Sequence, residues 1–287
     1  MAPHPLTRRS FLAAAGGLLV VAACGDDDGN GGADGSQPNG GATVQGLRIS
    51  SDLYVSTDPQ RFAFALAEGS TFLSTAGVSI AFRAPDGKTG APVAATPRTE
   101  GLPEGRAVYT VRAVLPQEGI WDAFVDVDGR DVTFPFQVTA EPIMPVEGSA
   151  APGAPSPTTA DPMGVDPLCT REPPCPLHDV SLDAAIGQGT PVVVMFATPA
   201  RCQTRYCGPV LDQLLPLAEE YGDRVTFVHV EVYQNLTTDD LVSTVVAWGL
   251  ESEPWLFGID GAGSVAGRLD GAFSSDEIRE LIDGLTA

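Results

Sequence analysis

The sequence predicts two folded domains, an all-β domain over residues 44–140 followed by an α/β domain over residues 168–287. Three observations predict this division. Short runs of β-branched and aromatic residues fill the first range, strands and amphipathic helices alternate in the second, and a proline-rich linker, residues 141–167, separates them. No internal repeat relates the two ranges, so we expect two different folds.

The first residues are typical of an export signal. Arg8 and Arg9 form a twin-arginine motif, and the apolar run over residues 11–23 is too short to span a bilayer as a mature helix. The run ends in the string VAAC at Cys24, which resembles the lipobox of bacterial lipoproteins. This resemblance implies that residues 1–24 are a lipoprotein signal and that Cys24 is lipidated. The mature protein is then anchored to the extracytoplasmic face of the cell membrane; a plain secretory signal is the alternative.

Residues 25–43 are expected to form a flexible tether, since glycine, aspartate, asparagine and serine dominate them. The chain as a whole is acidic, with 16 basic and 37 acidic residues and a formal net charge of −21. Such a surface repels nucleic acids and anionic lipid headgroups, so neither is an expected partner. Contact with the membrane is expected through the lipid anchor.

Residues 44–140 contain several short apolar runs with turn signals at residues 85–87 and 128–129. The expected strands are Arg61–Ala67, Val78–Arg83, Ala107–Val114, Trp121–Val127 and Val132–Val138. Pro135 cannot donate to a β-ladder, so the last strand is expected at a sheet edge or a bulge. Strands of this length and spacing are typical of an immunoglobulin-like sandwich. Because no cluster of titratable groups stands out here, we expect a spacer or an interaction module.

The second domain is organised around one strand, one loop and one helix. Val192–Phe196 is a short apolar run of the kind that forms a strand buried on both faces. Cys202 and Cys207 lie in the connection that follows, and apolar residues at helical spacing continue to Ala218. A helix N-terminus stabilises a thiolate, and paired cysteines can close a disulfide, so the pattern predicts a redox site.

The remaining elements of this domain alternate in type. The expected elements are a short helix from Ser181 to Ile186, a strand at Arg224–Val232, a helix from Thr237 to Trp248, a hairpin of Pro254–Ile259 with Ser264–Leu269, and a helix at Ile278–Leu285. From the central strand onward the expected order is β-α-β-α-β-β-α.

Three strings around the cysteines resemble the active-site strand and helix of the thioredoxin fold family: FA at residues 196–197, CGP at residues 207–209 and LAEEY at residues 217–221. Thioredoxins separate their two cysteines by Gly-Pro, whereas four residues separate the pair here and Gly-Pro follows the second cysteine. If the helix end at residues 218–221 is aligned with that of the family, Cys207 stands at the position of the resolving cysteine. Cys202 then takes the role of the nucleophile. The CGP string instead makes Cys207 the nucleophile, and both assignments stay open.

The same resemblance implies further site residues. Pro254 stands where thioredoxins have a cis-proline packed against the cysteine pair, and Glu253 stands at the position that contacts substrate. Arg201 and Arg205 flank the cysteines, so we count them among the expected substrate contacts. A carboxylate at Glu253 would disfavour a nearby thiolate, whereas the two arginines would favour one.

A second cysteine pair, Cys169 and Cys175, opens the domain beside three prolines. Oxidising surroundings favour a structural disulfide between them; pairing with the other cysteines, or free thiols, are the alternatives. His178 follows closely and is a candidate functional residue. We expect no cofactor and no metal-ligand set.

Three functions fit these patterns. The first is thiol–disulfide exchange through Cys202 and Cys207, which would make the protein an oxidoreductase acting on extracytoplasmic protein thiols or disulfides. The second is a non-enzymatic binding or scaffold protein, in which the same bridge is a permanent staple. The third is a copper chaperone, since paired thiols near a histidine suit copper(I).

The lipobox leads to a first prediction. Mass spectrometry of the membrane fraction is expected to find a diacylated N-terminal peptide that begins at Cys24, because the lipidated cysteine becomes the mature N-terminus. A Cys24→Ser chain is expected to lose both the lipid and its retention at the membrane. A Cys24→Ser chain that is still processed and still retained there would contradict the anchor.

Overall fold

The computed structural model describes residues 43–202 and 206–287. Cys24, the tether as far as residue 42, and Arg205 lie outside the described residues. Within those residues, no helix is both long and apolar enough to cross a membrane.

Two antiparallel sheets build the β-rich half, residues 44–140. The strands are β1 (Val44–Arg48), β2 (Ser56–Glu68), β3 (Thr71–Phe72), β4 (Ser79–Arg83), β5 (Val93–Ala94), β6 (Thr96–Arg98), β7 (Val108–Leu115), β8 (Gly119–Val127) and β9 (Arg130–Val138). One sheet has the order β1-β2-β7-β6 with β3 beside β2, and the other has the order β5-β4-β8-β9. All five expected strands are confirmed. Sequence patterns missed the short strands and β1.

The two sheets share one apolar core. Phe62 on β2 and Phe136 on β9 meet across it with ring centroids 4.8 Å apart. Along β9, buried residues alternate with exposed ones, as expected of a strand with one face to the core. Each large side chain buried here contributes about 1.5–3 kcal/mol by leaving water.

Strand β9 and its turn agree with the sequence pattern. Within the described residues, β9 pairs with β8 alone, so Pro135 lies on an edge strand where its missing N–H is tolerated. The β8–β9 turn places Asp128 and Gly129 at φ values of 53° and 78°. A left-handed conformation at both positions is what a tight two-residue hairpin requires, and Asp-Gly adopts it readily.

The α/β half, residues 168–287, contains a four-stranded sheet and four helices among the described residues. They are α1 (Leu182–Ala185), β10 (Val192–Phe196), α2 (Cys207–Tyr221), β11 (Thr226–Val230), α3 (Ser243–Trp248), β12 (Trp255–Ile259), β13 (Val265–Asp270) and α4 (Ser275–Thr286). The strand order is β11-β10-β12-β13; β10 runs parallel to β11 and antiparallel to β12. The predicted order of elements is confirmed.

The helix boundaries differ from expectation at α3. It begins at Ser243 and not at Thr237. The Asn235 side chain accepts hydrogen bonds from the backbone N–H groups of Thr237 and Thr238, both at 2.8 Å. Such a side-chain turn competes with helix formation, and this explains the later start. At α4, Ser274 and Glu277 form a capping box.

The proline-rich linker is docked on the α/β half. Ala151 N donates to Gly263 O at 2.9 Å, and Val265 N donates to Ser149 O at 2.9 Å. The linker thereby pairs with the first residue of β13 and with the turn before it, at the outer edge of the sheet. A proline-rich composition predicts an extended, semi-stiff chain that couples its neighbours loosely. That expectation is wrong here, because the extended linker pairs with a sheet edge.

Buried ion pairs also join the two halves. Arg61 on β2 reaches Glu277 at 2.8 Å and Asp270 at 3.2 Å, and its side chain is only 10% exposed. Arg268 on β13 reaches the fully buried Asp52 at 2.7 Å. Removal of one member of such a pair leaves a charge that is buried without compensation.

These contacts predict that the two halves unfold together. An Arg61→Met chain is expected to lose about 3–5 kcal/mol of stability, because two buried carboxylates lose their partner. The control is Arg83→Met, since Arg83 pairs with Asp122 on the exposed surface and such pairs contribute about 0–1 kcal/mol. Urea unfolding followed by fluorescence measures both. Equal losses in the two variants would show that the halves are not coupled through Arg61.

Candidate functional site

The site begins where β10 ends. All five residues of β10 are buried, and the chain leaves the sheet at Ala197 toward Cys202. Cys202 and Cys207 form a disulfide, with their Cα atoms 5.9 Å apart. Cys207 is fully buried as the first residue of α2, whereas Cys202 is partly exposed. The disulfide expected from the sequence is present, and Cys202 is its accessible end.

The N-terminus of α2 supplies a favourable field for a thiolate. The backbone N–H of Cys207 points to Cys202 Sγ at 3.3 Å. The first turn of the 15-residue helix carries no acidic side chain to offset the positive end of its dipole. Both features stabilise negative charge on the Cys202 sulfur once the bridge is reduced.

Glu253 and Pro254 meet the disulfide from β12. The Glu253–Pro254 peptide is cis, as expected, and the pairing of Phe196 with Trp255 holds it beside the end of β10. Glu253 Oε2 accepts a hydrogen bond from Thr198 N at 2.7 Å and lies 3.5 Å from Cys207 Sγ. A carboxyl group therefore lies against the buried sulfur.

Burial raises the pKa of Glu253 to about 7. The hydrogen bond from Thr198 N opposes this rise, the nearby Glu231 charge adds to it, and Arg201 and His229 oppose it. A carboxyl group with a pKa near neutrality can both accept and return a proton at physiological pH. The sequence placed Glu253 at the site but did not predict its protonation.

Arg201 is held beside the disulfide loop by other residues. Its guanidinium donates to Asn235 O at 3.2 Å, pairs with Asp239 at 2.6 Å, and lies 4.2 Å from the centre of the Tyr233 ring. Its charge acts on the site through Glu253, whose pKa it lowers. The other expected arginine, Arg205, lies outside the described residues.

The expected disulfide between Cys169 and Cys175 is absent. Both cysteines are free and buried, and their sulfur atoms are 3.8 Å apart. Two imidazole rings lie next to the sulfurs. Cys175 Sγ is 3.3 Å from His178 Nε2 and 3.4 Å from His229 Nδ1. The two sulfurs therefore lie close to each other and to the same two histidines without a bond between them.

His229 is a site residue that was not expected from the sequence. It lies within β11, a short and mostly apolar strand, and it is fully buried. Its Nε2 is 2.9 Å from Ala197 O, at the start of the disulfide loop. His178 faces His229 with 3.2 Å between Nε2 and Nδ1. No metal-ligand set was expected from the sequence, and four candidate ligand residues meet here nevertheless.

The β-rich half contacts the region around the disulfide. Tyr206, immediately before Cys207, packs in a small apolar cluster whose other members are Ile49, Ala63, Leu102, Val108 and Ala272. Gln213 on α2 donates to Gly101 O at 3.0 Å. One side of the active-site helix is therefore covered by the β-rich half.

Solved structures of two thiol:disulfide interchange proteins are similar to part of this chain. One is the crystal structure of a thiol:disulfide interchange protein DsbE from Chlorobium tepidum, with 16% identity and a TM-score of 0.36, covering 50% of this chain and 99% of that one. The other is a thioredoxin family thiol:disulfide interchange protein from Chlorobium tepidum TLS, with 14% identity and a TM-score of 0.35, covering 50% and 99% of the two chains. No protein-family model matches the sequence. No curated protein matches it either.

The class of the α/β half follows from its own geometry. A β11-β10-β12-β13 sheet with only β10 and β11 parallel, a disulfide between the central strand and its helix, and a cis-proline at the next strand are the features of a thioredoxin-like fold. The α/β half therefore has a thioredoxin-like fold, and the β-rich half contacts it beside the disulfide.

The raised pKa of Glu253 leads to a pH prediction. Its ordinary pKa is 4.5, so the folded protein keeps a proton that the unfolded chain releases as the pH rises from 4.5 to about 7. The stability that this protonated carboxyl contributes is complete below that window and is lost as the pH rises through it. The loss amounts to about 3 kcal/mol, at 1.36 kcal/mol for each pKa unit.

A Glu253→Gln chain lacks this titration. We compare the unfolding free energies of the two chains at each pH. The value for the wild type, relative to that for the variant, is expected to fall by about 3 kcal/mol between pH 4 and pH 8. Urea unfolding of both chains in their disulfide-bonded forms measures the difference. A difference that does not change with pH would mean that Glu253 ionises with an ordinary pKa.

Proposed function

We propose that the protein is an extracytoplasmic thiol–disulfide oxidoreductase that acts through Cys202 and Cys207. The observation that carries this proposal is the arrangement of the bridge at the start of α2. Cys202 is partly exposed, Cys207 is buried, and the Glu253 carboxyl lies 3.5 Å from the buried sulfur. An accessible attacking sulfur, a protected resolving sulfur and an adjacent acid–base group suit stepwise exchange.

In the reaction that we propose, the reduced protein begins with a Cys202 thiolate. It attacks one sulfur of a substrate disulfide, forms a mixed disulfide and releases the other substrate sulfur as a thiolate. The Cys207 thiol then loses its proton to the Glu253 carboxylate and attacks Cys202 Sγ. This step restores the Cys202–Cys207 bridge, releases the second substrate thiolate and leaves the substrate reduced. The reverse sequence oxidises a substrate dithiol.

Three features support the roles of the neighbouring residues. The cis peptide before Pro254 lies beside the loop, at the place where thioredoxin-like proteins receive the substrate chain. Glu253 is already held by Thr198 N, and this orients its carboxyl toward Cys207. The positive end of α2 lowers the energy of the Cys202 thiolate relative to the thiol.

The proposed location is the extracytoplasmic face of the cell membrane, with Cys24 as the lipid anchor. The lipobox-like string and the hydrophilic tether of residues 25–43 support it. Proteins that carry reactive thiols or disulfides are the proposed partners, and the acidic surface disfavours nucleic acids. We assign the β-rich half a role in covering one side of the site, since Gly101 and Tyr206 lie in its contact with the region around α2.

A permanent staple is the alternative that the structure supports specifically. Cys207 is completely buried, and a bridge with one inaccessible sulfur also suits a purely structural link between the loop and α2. The two functions differ in reactivity: a staple resists thiols, whereas a redox bridge exchanges with them.

The proposal predicts which variant traps a substrate. Reduced Cys207→Ser protein mixed with a model protein disulfide is expected to accumulate a mixed disulfide through Cys202, because the resolving thiol is missing. The matched control is Cys202→Ser, which is expected to trap little because the remaining sulfur is buried. Non-reducing electrophoresis detects the adduct, and peptide mass mapping identifies the cysteine.

Two results would contradict the proposal. Trapping by Cys202→Ser alone would move the nucleophile to Cys207, as the CGP string suggests. Absence of trapping in both variants, together with a wild-type bridge that ordinary thiols do not reduce, would establish the staple.

A further inference from the structure

Cys169, Cys175, His178 and His229 form a buried group that the proposed redox reaction does not use. We call these four residues the Cys2His2 cluster. Each offers one ligand atom, and the four atoms lie within 4.8 Å of one another. The exposed fractions of the residues range from 0% for His229 to 9% for Cys169. Three of the ligands come from one irregular segment, and the fourth comes from β11.

Five of the six distances between ligand atoms in the cluster are close to those of a tetrahedral metal site, and the sixth, between Cys169 and His178, is at most 4.8 Å. Zinc bonds to sulfur at about 2.3 Å and to imidazole nitrogen at about 2.05 Å. A tetrahedral set with those bonds has edges of about 3.8 Å between sulfurs, about 3.6 Å between sulfur and nitrogen, and about 3.4 Å between nitrogens. The observed sulfur–sulfur distance is 3.8 Å, the nitrogen–nitrogen distance is 3.2 Å, and three sulfur–nitrogen distances are 3.3, 3.4 and 3.9 Å.

Hydrogen bonds around the cluster favour the forms of its side chains that can bind a metal ion. The Ala197 carbonyl can only accept, so His229 Nε2 must donate to it across 2.9 Å. The proton on Nε2 leaves a lone pair on Nδ1, and this is the nitrogen that faces the sulfurs. Cys175 N donates to Cys169 Sγ at 3.4 Å, a bond that stabilises a thiolate. Outer contacts of this kind orient metal ligands.

The cluster is poorly satisfied by hydrogen bonds among its own members. Thiols are weak donors, and the two facing imidazole nitrogens both carry lone pairs unless one is protonated. Burial of four polar groups in this state costs free energy, and a shared cation removes that cost by accepting all four lone pairs.

We propose that the Cys2His2 cluster binds a single zinc ion in a closed structural site. Four protein ligands leave no open position for substrate, and a tetrahedral sulfur–nitrogen set favours zinc over magnesium, calcium and square-planar copper(II). Binding converts both thiols to thiolates and releases two protons, so the charge of the ion is cancelled within the buried site. The site is distinct from Cys202 and Cys207, and its existence does not depend on the redox proposal.

The zinc ion would fasten an irregular segment to the core. Residues 169–178 form no helix or strand and contain three prolines, so few backbone hydrogen bonds hold them. The same residues brace the disulfide loop: Ala200 N donates to Thr170 Oγ1 at 3.2 Å, and Ala197 O accepts from His229. Metal binding in the cluster therefore stabilises the base of the loop that carries Cys202.

The test uses the full mature chain, purified without added metal or chelator. Elemental analysis is expected to find about one zinc ion per chain. After removal of zinc under reducing conditions, titration with cobalt(II) is expected to give the visible bands of a tetrahedral ion and near-ultraviolet thiolate-to-cobalt charge transfer. This measurement uses the wild-type chain, so it stands even if a ligand variant folds poorly.

Variants assign the signal to the cluster. Cys169→Ser and His178→Ala are each expected to bind zinc at least about 10-fold more weakly, because even outer contacts of a metal site contribute that much. The matched control is the Cys202→Ser/Cys207→Ser double variant, which removes the other two thiols and is expected to keep full zinc content. Zinc is also expected to raise the Tm of the apoprotein, since it binds only the folded state.

Three results would overturn the proposal. A purified chain that contains a Cys169–Cys175 disulfide, and that takes up no zinc after reduction, would establish the staple expected from the sequence. Loss of the cobalt charge-transfer bands in the Cys202→Ser/Cys207→Ser variant would place the metal at the other cysteines. Copper in place of zinc in the chain as isolated would make the site one for a different metal.

Discussion

The site depends on one constraint, the complete burial of β10. Its five residues are enclosed between β11 and β12 and by helices, so the strand cannot slip or fray. Because β10 is held on both sides, the point where it ends is fixed relative to both neighbours. His229 on β11 and Glu253 before β12 meet the chain there. The cysteine chemistry is thus arranged by the sheet and not by the cysteine loop itself.

The disulfide and the Cys2His2 cluster share the first residues of that loop. Ala197 O contacts His229 on one side, and Thr198 N contacts Glu253 on the other. The charges are connected as well, since His229 lowers the pKa of Glu253 whereas burial raises it. The Cys2His2 cluster and the disulfide site are therefore linked through residues 197 and 198, which are adjacent in the chain.

The β-rich half is part of the same body. Arg61 and the docked linker join it to β13 and α4, and Tyr206 packs in an apolar cluster shared by the two halves beside Cys207. Charged side chains supply part of this contact. Such pairs are costly to break singly, and they are directional, so they hold one relative orientation of the halves.

Local pattern by itself determined most elements of this protein, with β1 and the short strands β3, β5 and β6 as the exceptions. The apolar run of β10, the helical spacing of α2 with two cysteines before it, and the alternation in β9 each depend on neighbours in sequence, which periodicity reports. Which distant side chains contact one another was decided only by the tertiary structure. His229 lies 60 positions from Cys169, and Arg61 lies 216 positions from Glu277. A buried histidine or arginine acquires its role from groups brought to it by folding, so no spacing rule within the chain could have revealed either one.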